Sequence, residues 1–155
     1  MKEKSFKVYI IRLLKVVHPG IRLTKSAVEA MDSILRVISD RIVDKALVLT
    51  ANDDKKTISD REIQTATRLV FPEDFSKQLV TFSADSIAKY EKSEQDRQGE
   101  PIEKPQTRES RCGLIFSVSA AEKYVRRFDQ IGFNVSANAP IVLASVLEHF
   151  TSHLL

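Results

Sequence analysis

Apolar side chains recur along this chain with the period of a helix, and short polar turns interrupt the recurrences. Phe6, Ile10, Leu13 and Val17 are spaced by four, three and four. That spacing predicts a short helix with one apolar face, ended by His18, Pro19 and Gly20. Thr24 is a suitable N-cap, and Ala27, Met31, Ile34, Ile38, Ile42, Ala46 and Leu49 carry the period onward without an intervening proline or glycine. The pattern predicts a helix over residues 25–51, about 40 Å long and too long for a small domain to bury by itself. Ile63, Ala66 and Val70 predict another short helix. Pro72, Glu73 and Asp74 then predict the start of a further one, with proline at its first position and acids at the positive end of its dipole. Phe75, Leu79 and Phe82 supply its apolar face.

The turn between the long helix and the third is the most specific stretch. Ser59 and Glu62 have the spacing of a capping box, which fixes the end of the loop and the start of the helix together. Lys55, Lys56 and Thr57 are thereby expected at a rigid corner beside unpaired backbone N–H groups, a place suited to a phosphate.

Composition narrows the class. The 155 residues allow one ordinary domain or two small ones. Four glycines and no tryptophan argue for an all-α chain over a turn-rich β chain. The net charge is only +3, but residues 1–26 hold seven Lys/Arg against one Glu, a local balance of +6 suited to a polyanion. Cys112 is the only cysteine, so no intramolecular disulfide forms and a reducing compartment is expected. No apolar run approaches the length of a membrane span and no secretory leader is apparent, so a soluble intracellular protein without a membrane partner is expected. There is no Ser/His/Asp order, phosphate-binding glycine loop or dinucleotide fingerprint, and neither an enzyme, a cofactor nor a small-molecule substrate is expected. His149 and His153 stand four apart and would share a helical face, as zinc-binding pairs do. With no third ligand at suitable spacing and His18 committed to a turn, no metal is expected.

The residues also carry a family resemblance. Tyr9, Lys15, Val17-His18-Pro19, Met31, Ser33, Arg41-Ile42, Thr57-Ile58, Arg61-Glu62-Ile63-Gln64-Thr65-Ala66, Arg68-Leu69, Pro72 and Lys89-Tyr90 stand where the 2B type of core histone has them. Residues 5–90 thus resemble a complete histone fold of short, long and short helices. From Glu91 to Pro105 there are five acids, three bases, two prolines, one glycine and a single apolar residue, Ile102, and 91–106 is read as a linker that does not fold. Thr107 to Val118 resembles the start of the 2A type, and Asn138 to Glu148 the beginning of its long helix. Residues 107–155 are accordingly read as a truncated second histone fold, either a short variant or a cut chain. The order resembles the histone doublets of giant viruses, especially the marseillevirus group.

That resemblance implies a structural DNA-packaging protein of viral chromatin that holds double-stranded DNA by its phosphate backbone, without base reading. It implies DNA contacts at Thr24, Lys25 and Ser26, at Lys55, Lys56 and Thr57, and in the second half at Arg108, Arg111, Lys123 and Arg126. Ala120 and Asn134 stand where the family has arginines, so weaker binding by the second half is implied. Asp74 and Glu148 match positions of the acidic surface used by partner proteins, whereas Phe82 and His153 replace glutamates there. Partners implied are the other core histones, as a second fused doublet forming the central tetramer and docked near residues 44–70. The implied location is the virion or virus factory, or the host nucleus. Two rivals stand beside this reading: a histone-fold module that caps or limits nucleosome assembly, and a sequence-specific transcription factor subunit. A second long helix shorter than the first is expected to leave Ala46, Val48 and Leu49 without a partner.

Overall fold

The computed structural model describes residues 5–96, 106–129 and 132–155. Among these it is all-α apart from two strands of two residues each. The order is α1 (Lys7–Val17), α2 (Lys25–Asn52), β1 (Thr57–Ile58), α3 (Asp60–Val70), α4 (Glu73–Asp96), α5 (Arg108–Cys112), α6 (Val118–Phe128), β2 (Asn134–Val135) and α7 (Ala139–Leu154).

The long helix forms where expected. The Thr24 hydroxyl accepts the Ala27 N–H at 3.2 Å and caps its start. Its inner face differs from the periodic reading: the buried positions are Val28, Asp32, Leu35, Ser39, Ile42, Val43, Ala46 and Thr50, while Ile34 is 43% exposed. Each buried polar group on this face has an acceptor or donor at hand. The Asp32 carboxylate accepts the Phe6 N–H at 2.7 Å and pairs with Arg36 at 3.2 Å. Ser39 and Thr50 donate to the carbonyls of Leu35 and Ala46, one turn back. Hydrogen bonding therefore lets polar residues lie inside a stripe that hydrophobicity alone would not select.

α7 occupies the centre, packed against α4, α6, α3, α1 and α2. Every residue from Ala139 to Glu148 is buried, together with Thr151. A helix buried on all sides is a core element, and fully buried side chains such as Ile141, Leu143 and Leu147 each contribute about 2 kcal/mol by leaving water. The last segment is thus the centre of one core shared with the first, which includes Ile10, Leu35, Ile42, Ile63 and Leu79. Tyr124 of α6 fastens the two segments from outside, donating its O–H to the Arg36 carbonyl at 3.1 Å and to the Asp40 carboxylate.

Three sequence expectations need correction here. Ala46 is fully buried in the shared core and Leu49 packs half-buried against it, although Val48 is 49% exposed. Pro72 lies just before α4, where its carbonyl accepts the Ser76 N–H at 2.8 Å. α4 itself runs to Asp96, six residues into the stretch read as linker, because the polar residues there find partners: Ser93 and Glu94 receive the Arg111 guanidinium. Residues 97–105 of that stretch lie outside the described residues.

Candidate nucleic-acid interface

The basic corner is built by the end of α2 and the start of α3. Asp53 closes α2 with its N–H on the Leu49 carbonyl at 3.2 Å, and Asp54 turns the chain with φ +53°, a left-handed conformation that aspartate tolerates. The Lys55 N–H then returns to the Thr50 carbonyl at 3.1 Å. Glu62 ties the corner down from α3. Its carboxylate accepts the Ser59 N–H at 2.9 Å, the Ser59 hydroxyl, and the Lys55 ammonium at 2.8 Å. Burial alone would push this carboxyl up; the bonds from Lys55 and Ser59 overcome that and hold it at about 2.

What the sequence gives no sign of is the partner of this corner. β1 and β2 pair in parallel, Thr57 opposite Asn134 and Ile58 opposite Val135. The Asn134 N–H donates to the Lys56 carbonyl and the Ser136 N–H to the Ile58 carbonyl, both at 2.9 Å. The approach to β2 is shaped by Asp129, whose carboxylate accepts the N–H groups of Gly132 at 3.1 Å and Phe133 at 2.7 Å. Lys56 is thereby fixed next to the loop that leads into α7. Ile58 is fully buried beneath the bridge, while Lys55, Lys56 and Asn134 face solvent.

The expected DNA contacts fall into distinct settings. Lys56 is exposed and Thr57 half-buried at the bridge. Lys55 is exposed but has its ammonium on Glu62, so part of its charge is already answered. Arg61, which sequence reading counted only within the family string, is exposed and lines the same depression as Asp53, Lys55 and Glu62. Thr24, Lys25 and Ser26 form the exposed start of α2, at the far end of a helix about 40 Å long. They belong to a second surface, away from the bridge.

In the second half, Glu122 holds two of the expected contacts, pairing with Arg108 at 2.9 Å and Arg126 at 3.3 Å. Burial would raise the Glu122 carboxyl, but Arg108 above all, and then Arg126, bring it below its ordinary value. Lys123 is exposed on α6, and Arg126 keeps a side chain 55% exposed. Arg111 is the correction among the cations. Its side chain is 6% exposed, donates to Ser93 at 2.6 Å, pairs with Glu94, and lies 4.6 Å over the Tyr90 ring. It joins α5 to α4, with its guanidinium turned inward.

Glu148 is the correction among the acids. It is 7% exposed, and its carboxylate points inward to accept the N–H groups of Ile115 and Phe116, the latter at 3.1 Å. Burial raises its carboxyl despite those two bonds. An arginine from a partner has no access to it, whereas Asp74 lies exposed in the first turn of α4. Phe82, at another position of the implied acidic surface, is half-buried and stacks on His149 at 4.8 Å. Burial, and then the neighbouring His153, lower the His149 imidazole below its ordinary value.

Among the described residues no group of three or more His, Cys, Asp or Glu could hold a metal ion, and no helix is long and apolar enough to cross a membrane. The surface is one of exposed cations, helix starts and a bridged loop pair, which is an arrangement for holding polyanions. Residues 1–69 match a family model described as the core histone domain, common to the four core histone types. The match takes in both ends of α2 and most of α3. Over that stretch the chain carries an all-α histone fold.

Proposed function

We propose that this chain is a nucleosome core component of viral chromatin, a doublet whose two histone-like segments, of the 2B and 2A types, pair within one polypeptide. It holds the DNA backbone without sequence preference, and it works in the virion or virus factory of a giant virus. The observation that supports this reading best is the parallel bridge of Thr57 and Ile58 with Asn134 and Val135. It joins the basic corner of the first segment to the start of the central helix of the second, so one chain supplies a paired-loop surface for phosphates. Exposed Val48 and Leu69, within the region implied to dock a second doublet, fit an apolar contact with partner histones.

The test is binding to duplexes of unrelated sequence over a range of salt. Lys56→Glu is expected to weaken all of them about equally and to lower the slope of log affinity against log salt by about one. Ser136→Pro removes the N–H that the Ile58 carbonyl accepts, without touching a charge, and is expected to weaken binding by disordering the loop pair. Loss of discrimination between sequences at an unchanged salt slope would refute backbone binding. Tight binding to other histones with no measurable affinity for DNA would favour the capping module instead.

A further inference from the structure

The seam between α4 and α7 carries a histidine pair that DNA binding does not use. His149 and His153 lie one turn apart on α7, joined by a hydrogen bond between their Nε2 atoms at 3.2 Å. Sequence spacing places two such rings on one face, but it does not make their nitrogens converge. Here α4 orients them: Phe82 stacks on the His149 ring at 4.8 Å, and Phe75 meets the His153 ring edge-on at 5.2 Å. The two imidazoles stand at 77° to one another, centroids 4.8 Å apart.

Without an ion one imidazole donates its Nε2–H to the other; moving that proton to Nδ1 frees both Nε2 lone pairs at a separation that suits a chelate. An ion about 2.05 Å from each of two imidazole nitrogens sets them about 2.9 Å apart at a right angle and about 3.3 Å apart at the tetrahedral angle. The observed 3.2 Å falls between these values. We propose that His149 and His153 form a two-ligand site for a late first-row divalent ion, held by both Nε2 atoms with water in the remaining positions. Copper(II) is the tightest occupant, ahead of nickel and zinc, as expected for imidazole donors. Because no third His, Cys, Asp or Glu among the described residues completes a cluster, this is an open, exchangeable site and not a closed structural centre. Counting ligands in the sequence excludes the closed kind only. A bound ion would cross-link the last turns of α7 and brace them against Phe75 and Phe82.

The experiment is titration of the full chain with copper(II), read by calorimetry and by electron paramagnetic resonance. One equivalent is expected to bind with a spectrum of two equatorial imidazole nitrogens. His149→Gln and His153→Gln should each weaken binding by about tenfold or more, since either change removes the chelate. His18→Gln should leave it unchanged. Copper should raise the melting temperature of the native chain but not of His153→Gln. His153 is exposed, so His153→Gln should match the native chain in metal-free circular dichroism, which separates loss of a ligand from loss of fold. Native-like affinity in His153→Gln, a spectrum without imidazole nitrogens, or no binding at all would overturn the proposal.

Discussion

Glu62 is where the fold and the basic corner depend on one charge. Its carboxyl moves from an ordinary value of 4.5 to about 2 through Lys55 and Ser59. At about 1.4 kcal/mol for each tenfold step in the ionisation constant, that difference is worth about 3 kcal/mol at neutral pH. Because the folded value is the lower one, this stability is fully present above 4.5 and is lost as pH falls toward 2. Glu62→Gln keeps the shape and one acceptor oxygen for the Ser59 N–H but removes the charge that Lys55 meets. It is therefore expected to destabilise the chain by about 1–3 kcal/mol at pH 7, a large share of the stability of a small domain. Urea denaturation of both chains at a series of pH values measures this. The native and variant curves should approach each other as the solution is acidified, since protonation does to Glu62 what the substitution does. A difference that stays constant down to the acid end, or no difference at neutral pH, would refute the reasoning.

Two further outcomes follow from groups that the structure turns inward. Arg111→Ala should lower stability by about 1–3 kcal/mol through its contacts with Ser93, Glu94 and Tyr90, yet leave the salt slope of DNA binding unchanged, as measured by titration at several salt concentrations. Glu148→Ala should cost several times more than Glu148→Gln in denaturant unfolding, because one oxygen, Oε1, accepts both the Ile115 and Phe116 N–H groups and a glutamine carbonyl can replace it.

These positions also mark how far the sequence could be read. The four helices through α4 were legible because each has a periodic apolar face and a start or stop signal, and the Ser59 and Glu62 spacing located the basic corner to the residue. The inner face of α2 was offset, since Asp32, Ser39 and Thr50 are buried by virtue of hydrogen bonds that a hydrophobic pattern does not register. Arg111 and Glu148 were read as surface charges for the same reason: their burial depends on partners in other elements. α4 outruns the apolar period because its last turns are held by Arg111. The central place of α7 had a signal in its apolar run from Ala139 to Leu147, interrupted only by Ser145, which an all-round buried helix accommodates. The bridge of β1 and β2 had none, because two residues in each strand are too few to show alternation.

The bridge also bears on how the interface behaves in dilute solution. Its two strands belong to one polypeptide, so neither can leave the other by diffusion, and the local concentration of one for the other is set by the chain between them, about millimolar for short connections. Two separate subunits joined by such a small contact would come apart on dilution and could exchange partners. Here the ratio of the two segments is always one to one, and the paired loops reassemble at a rate independent of how much protein is present.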